Sequence, residues 1–358
     1  MRLAARLTMA QLLAALLAVA TMPARAEAAD PPAAPAITWA PDVSSIVVPS
    51  RNIDLDAWEG FKKFHPKPSL DEHLDDPILH GSLDLHAHFG PDSYVRQWDA
   101  FEIARMAHAR GMRGIVLKNH WSESAGLAWL ARKYAGAGDL EVFGGLALDT
   151  PEGGINPQAV RYFAEVEGHY ARIVWMPTHD AEHEVRFNKE TRPYVVVSRD
   201  GRLIPQVFEV LDLIKQYGLT LATGHVSSEE MLQIVAAAHQ RGITRIIITH
   251  PDLGPGFTDA SIDQLKRAVA LGGSAEIVAS ELFGANRQHF VAMIRALGAE
   301  HCFVSTDSGL VGTPDHPDAM VKAIRLLRAA GFGDADLDLL FRRNPAILVG
   351  LPPLPAGG

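Results

Sequence analysis

Two histidines one residue apart close a short apolar run, Leu83-Asp84-Leu85-His86-Ala87-His88. On an extended strand, side chains at i and i+2 point the same way, so His86 and His88 can offer both imidazoles to one metal ion. Taken alone, such a pair is as consistent with hydrogen-bonded core histidines as with ligands. Three later apolar runs also end in a potential ligand: residues 219–225 in His225, residues 245–250 in His250 and residues 302–307 in Asp307. A buried polar end needs a partner that apolar packing does not supply, so the recurrence favours a shared metal centre.

To meet at one ion, these runs must be parallel and must finish on the same side. From Gly81 onward the chain alternates short apolar runs with helical patterns. Strands are expected over 82–86, 114–118, 141–148, 172–176, 219–223, 245–249, 274–278 and 302–306. Helices are expected near 99–110, 124–135, 157–168 and 205–217, and again after the later strands. Glycines following the helices, such as Gly111, Gly218 and Gly242, fit C-caps that lead into the next strand. Eight such units make an α/β fold, a (β/α)8 TIM barrel spanning 81–351, with the active site at the C-terminal ends of its strands.

The rest of the chain frames that barrel. Residues 1–26 read as a cleavable signal peptide: Arg2 and Arg6 give a charged start, 9–20 is an apolar run, and Ala24-Arg25-Ala26 places small residues at a cleavage site. The run is too short for a membrane span, so a periplasmic or secreted location without membrane insertion is expected, with any metal acquired outside the cytoplasm. Residues 27–50 are Ala/Pro-rich and read as a linker or an arm lying on the domain. Residues 51–80, which include Trp58, Phe61 and Phe64, are expected to form a short helix and irregular structure capping one end of the barrel, and 352–358 are a tail. An N-terminal extension therefore precedes the barrel.

A second departure from the alternation follows strand 4, where 181–204 contains Tyr194-Val195-Val196-Val197-Ser198 and the turn signal Asp200-Gly201. This reads as a β-hairpin insertion, either a lid or substrate wall on the catalytic face or a structural hairpin. With Cys302 as the single cysteine, no internal disulfide can form. A formal net charge of -9 without a basic block argues against nucleic acid or an anionic membrane as partner. A small-molecule substrate is expected, and a homo-oligomer is compatible with the composition.

As a set in barrel order, His86-Ala87-His88, His225, His250 and Asp307, followed by Asn344-Pro345-Ala346-Ile347-Leu348-Val349-Gly350-Leu351, resemble the amidohydrolase superfamily of metal-dependent hydrolases. The resemblance implies a TIM barrel holding one or two divalent ions. Many binuclear members bridge two ions with a carboxylated lysine or a glutamate on strand 4, but strand 4 here ends Trp175-Met176-Pro177-Thr178 without one. Strand 2 instead carries Lys118. A carboxylated Lys118 bridging two ions would explain a lysine facing the barrel, and so would a salt bridge to Asp84 or Asp307. Lys118-Asn119-His120 and the Pro-Thr-x-Asp-x-x-His pattern of 177–183 resemble an uncharacterised branch of the superfamily.

Neutral imidazoles and carboxylates suit Zn²⁺, with Mn²⁺ or Fe²⁺ as alternatives. Such an ion lowers the pKa of its water to about 7 and polarises a carbonyl or phosphoryl oxygen. Asp307 can ligate the ion and also accept the water's proton. The expected activity is therefore hydrolysis of an amide, lactone, ester or phosphoester bond. A decarboxylating lyase with one ion, and a non-catalytic binding barrel, remain as alternatives. His120, His179 and His183, at or beyond strand ends, are candidates for substrate or second-ion binding, against a hydrogen-bonded loop role. The other histidines, among them His108, His239 and His316, read as structural, and Trp121 and Trp175 as core or wall.

Overall fold

The computed structural model describes residues 45–47, residues 72–352 except Asp252, and Leu354. The expected signal peptide, nearly all of the arm, residues 51–71 and most of the tail lie outside these described residues. Eight parallel strands, β1 (Leu83–His88), β2 (Gly114–Lys118), β3 (Glu141–Ala147), β4 (Ala171–Trp175), β5 (Thr220–Ala222), β6 (Ile246–Ile248), β7 (Gly273–Val278) and β8 (Cys302–Ser305), pair in sequence order. The circuit closes through a parallel bridge between Ala87 and Ser308, with the His88 amide donating to Ser308 O at 3.0 Å. This is a (β/α)8 barrel, and its seam lies at the level of the first ligand pair.

Binary pattern and capping together place the elements. Helices Ala100–Ala109, Ser228–Gln240 and Ile262–Ala270 start at capping boxes. Asp99, Ser227 and Ser261 accept from the third helical amide, while Glu102, Glu230 and Gln264 reach back to the cap. Their apolar faces join the outer core layer between helices and sheet. The barrel interior is a second cluster that includes Leu83, Leu85, Phe143, Ile173, Trp175 and Phe303, and Ala346, Leu348 and Val349 of the closing segment belong to it as well. Phe303 is fully buried there. Phe303→Ala is expected to destabilise the barrel by about 3–5 kcal/mol through lost transfer energy and the cavity left behind. A urea midpoint unchanged from that of the parent protein would show that the interior collapses around the gap.

The insertion after β4 differs from the expected single hairpin. A hairpin does form, Ser198–Arg199 against Arg202–Leu203, around Asp200 and Gly201, both with positive φ as a two-residue primed turn requires. Tyr194–Val195, however, pairs antiparallel with Ile46–Val47 of the N-terminal arm. The reason is parity and edge pairing: Val195 already donates to Asp180 O, leaving its other edge to the arm. A helix, Glu182–Phe187, precedes both strands and was not foreseen. The hairpin itself packs toward the helix after β5, with Ser198 Oγ donating to Glu230 at 2.7 Å. Of the capping segment, residues 72–80 are irregular and run beside helix His316–Ala329, where Asp318 accepts from the Glu72 and Leu74 amides.

Candidate metal centre and active site

The first strand would not present its histidines inward by simple alternation. Leu83 and Leu85 already face the barrel interior, so His86 would point outward. The register with β2 shifts between Asp84 and Ala87, and this irregularity inverts the parity. His86 and His88 then both line the cavity at the strand ends, while Ala87 packs against the helical layer. Asp84 accepts from the His86 amide and from Thr306, so it staples β1 to the chain following β8.

Two residues beyond β8, Asp307 closes a triad with this pair. Its Oδ1 lies 3.1 Å from His86 Nε2 and 3.1 Å from His88 Nε2. The three ligand atoms lie within 4.8 Å of one another. Asp307 holds a left-handed φ of 51°, and its amide donates to His86 O. That conformation is uncommon for a residue with a side chain and belongs with function more than with folding economy. Gly309, two residues on, is obligatory, because a Cβ at its φ of 135° would come within 2.6 Å of His88 O.

His225 and His250 form the adjoining wall. Their ring centroids are 4.8 Å apart, and His250 stacks on His86 at 5.7 Å. His225 follows Gly224, where φ is 68° and a Cβ would press to 2.3 Å of Pro177 O. Burial lowers the pKa of His86 to about 3, and it holds His88, His120 and His250 well below the usual histidine range. The imidazoles are therefore neutral, the form that ligates metal.

Two buried carboxylates orient this cluster. Glu276, on β7, accepts from His86 Nδ1 at 3.0 Å, from Ser305 Oγ at 2.5 Å and from the His250 amide at 3.2 Å. Glu184, on the insertion helix, accepts from His225 Nδ1 at 2.5 Å and pairs with His179 Nδ1 at 2.8 Å. Burial pushes the Glu184 carboxyl up, but His225 and His179 outweigh it and bring it down to about 2. With each Nδ1 committed, His225 Nε2 is left buried without a hydrogen-bond partner, as is His250 Nδ1, and His86 Nε2 makes no hydrogen bond, having only the 3.1 Å approach of Asp307 Oδ1. Unpartnered buried nitrogens, each on a ring clamped by a carboxylate or stacked beside one, are what a metal site presents before its ion is considered. The residues present fit a divalent cation.

Glu184→Gln is expected to weaken metal binding about 10- to 100-fold, because the amide presents the wrong partner to two imidazoles. Competition against a chromogenic chelator measures it. Unchanged affinity would reduce Glu184 to a fold contact.

Lys118 ends β2 level with His88 and is 1% exposed. Its Nζ is 3.4 Å from His120 Nδ1 and 5.6 Å from the Trp175 ring centre, and among the described residues no carboxylate lies within salt-bridge distance. The alternative of a salt bridge to Asp84 or Asp307 is therefore not realised, because Asp84 is turned to Thr306 and Asp307 to the histidines. Burial pulls the Lys118 pKa down to about 8, against the attraction of Asp307, Asp149 and Glu276. His120 in turn lies 2.8 Å from Thr178 Oγ1, whose hydroxyl donates to Asp149. Burial and the neighbouring Asp180 raise the Asp149 carboxyl to about 7; in its ionised form Thr178 donates to it and His120 Nδ1 donates to Thr178, which leaves the 3.4 Å contact with Lys118 without an acceptor lone pair.

A cavity of about 1090 Å³ opens over these groups, walled by Tyr94, Trp121 and Phe257 and by residues 188–193 of the insertion. Of the residues chosen from sequence, His86, His88, Lys118, His120, His179, His225, His250 and Asp307 all line it. His183 does not. Its Nε2 contacts Pro255 O at 3.1 Å and Phe257 O at 2.8 Å, so it latches the loop after β6 to the insertion. The wall is made by the segment between the insertion helix and Tyr194, not by the hairpin. Glu276 and Glu184 were missed. A glutamate within the apolar run Ala275-Glu276-Ile277-Val278 was a usable signal, since a charge on a barrel strand needs a buried partner. Glu184 gave none.

The profile of a family of unknown function (DUF6282) matches residues 81–276. No curated protein matches the sequence. Solved structures share the barrel. An amidohydrolase from Pseudomonas aeruginosa is 13% identical, with a TM-score of 0.53, over 77% of this chain and 98% of its own. A phosphotriesterase homology protein from Escherichia coli, solved with phosphate in its active site, is 18% identical, with a TM-score of 0.52, over 76% and 99%. A mutant organophosphorus hydrolase from Deinococcus radiodurans is 17% identical, with a TM-score of 0.52, over 80% and 98%. At these identities the likeness carries the fold, a (β/α)8 barrel.

Proposed function

The chain belongs to DUF6282, a family of unknown function, and on its amidohydrolase-type barrel we propose that it is a metal-dependent hydrolase of small molecules. The observation that carries this reading is the pair of clamped imidazoles, His86 on Glu276 and His225 on Glu184, whose Nε2 atoms make no hydrogen bond and whose rings line the cavity beside Asp307. His86, His88, His225, His250 and Asp307 would hold a divalent cation, for which Zn²⁺ is the best match to the donor set. A cation there supplies an acidified water and polarises the substrate oxygen under attack.

The protein's own groups do the rest. Asp307, open to the cavity and aligned between two histidines, takes the proton of the attacking water and returns it to the leaving group. His120, with Nδ1 held by Thr178 and Asp149, turns its other nitrogen to the cavity and steadies the substrate oxygen or leaving atom. Trp121, Tyr94 and Phe257 exclude water from the apolar part of the substrate. Lys118, buried with no carboxylate paired to it, would support a second ion: its ammonium first gives one proton to solvent, and the neutral amine then adds to carbon dioxide with loss of a second proton, forming a carbamate that would serve as an anionic ligand. The scissile bond is an amide, lactone, ester or phosphoester.

The deciding experiment measures metal content of the purified protein together with turnover over lactone, ester, amide and phosphotriester substrates, before and after chelation. Turnover that disappears on chelation and returns with Zn²⁺ is the expected result. Protein that binds no metal, or that holds it and turns over no member of the panel, would end the hydrolase reading.

The reading includes export of the protein. N-terminal sequencing of periplasmic material is expected to start near Glu27, after the small-residue site ending at Ala26. Full-length chain confined to the cytoplasm would rule this out.

A further inference from the structure

Arg96 is not used by the reaction described above, yet it is built into the cavity wall. Its side chain is 4% exposed. Its Nε donates to Asp92 Oδ2 at 2.6 Å, and the Asp92 side chain is shielded from solvent and accepts from the Ser93 amide. The four protons on Nη1 and Nη2 have no partner among the described residues. The backbone around Arg96 is equally fixed. Arg96 bridges Leu310 antiparallel, and the Gln97 amide donates to Gly309 O at 3.0 Å. The arginine is thus stitched to the same loop that carries Asp307.

The guanidinium is shielded on its Nε side by Asp92 and lies 5.6 Å from the centre of the Tyr94 ring, while its outer edge opens to the cavity, where a ligand oxygen can replace water. The free edge is the face that grips two oxygens of one anion through parallel N–H bonds. The other arginine on the wall is committed elsewhere, since Arg192 pairs with Asp180, Glu190 and His179 O. Asp92 holds Arg96 by Nε alone, which orients the guanidinium without occupying its outer edge.

We propose that Arg96 forms an oxyanion subsite, so that the substrate carries a carboxylate or phosphoryl group at a distance from the bond that breaks. This deepens the hydrolase reading and rests on it for the identity of the ligand as a substrate, while the anion site itself stands on Arg96. Neutral esters and lactones of the same size would then be poor substrates beside their anionic counterparts.

The test titrates zinc-loaded protein by calorimetry with glutarate and, separately, with inorganic phosphate, at fixed ionic strength, comparing the parent protein with Arg96→Gln. At least one anion is expected to bind the parent about 10- to 100-fold more tightly than the variant. The anion that loses affinity identifies the group as carboxylate or phosphoryl. Arg96→Lys should recover part of the loss, because the charge returns without the fork. If Arg96→Gln fails to fold around an uncompensated Asp92, the double variant Arg96→Gln with Asp92→Asn replaces it. Equal affinity in parent and variant, or no binding of either anion, overturns the proposal. Turnover separates the two readings. If no substrate in the panel is hydrolysed but the Arg96-dependent binding persists, the hydrolase reading falls and the subsite stands. If a substrate is hydrolysed equally well with a free carboxylate and as its primary amide, the subsite falls and the hydrolase reading stands.

Discussion

Asp307→Asn is expected to slow turnover by about 10²- to 10⁴-fold while metal content falls far less. The substitution keeps the volume of the side chain. Asparagine also tolerates the left-handed φ of 51° that this position requires, so the loop should keep its shape. What changes is proton affinity. The carboxylate oxygen now 3.1 Å from both His86 Nε2 and His88 Nε2 becomes an amide that cannot take a proton from water. Four histidines remain to hold the ion, two of them on rings clamped by Glu276 and Glu184. Metal analysis beside steady-state rates on a substrate from the panel checks the outcome. A variant with full metal and normal turnover would remove Asp307 from the chemistry and leave it a structural link between the first and last strands.

Lys118→Ala is the second large effect, with loss of about one ion per chain and a fall in rate of about 10²-fold. Substitution of groups that merely orient ligands costs 10- to 100-fold, and a bridging ligand should cost at least the upper end of that range. The expectation follows from burial. Lys118 is 1% exposed, Asp84 is bound to Thr306, Asp307 is engaged by the histidines, and His120 is turned to Thr178. An ammonium in such a place is expensive unless its charge is removed. Propionate added to the alanine variant should partly restore both metal and rate, by supplying the missing carboxylate from solution. Unchanged metal content and rate would mean that the lysine is held by the field of the surrounding carboxylates and takes no part in ligation. A gain in thermal stability without loss of metal would say the same from the other side.

The two variants report on different parts of the cavity, and their contrast is informative. Asp307→Asn separates rate from metal content, whereas Lys118→Ala should move both together. Glu184→Gln falls between them, because it leaves every donor atom in place and disturbs only ring orientation.

The strands were readable because each is a short apolar run bounded by turn residues, and those patterns are local. Five of the ligand candidates, His86, His88, His225, His250 and Asp307, could be named for the same reason, since a histidine or acid at the end of an apolar run stands out whatever the rest of the chain does. The hairpin turn at Asp200-Gly201 was equally local, needing only two residues that accept positive φ. The partner of Tyr194–Val195 was not, because strand pairing is chosen between segments about 150 residues apart, and nothing in either segment names the other.

The amino-acid sequence by itself determined the barrel's repeating units and the chemical types at its strand ends, since hydrophobic periodicity and residue identity act over a few positions. The tertiary structure decided which of those ends share a cavity and how they are held. Inward rotation of His86 depends on a register shift against β2, and its tautomer depends on Glu276, 190 residues away. His225 takes its orientation from Glu184 on a helix that no pattern announced, and His183, one residue before, turns out to a loop carbonyl instead. Neighbouring residues on that helix diverge because side-chain direction follows helix phase, and phase relative to the barrel is set only when the insertion packs.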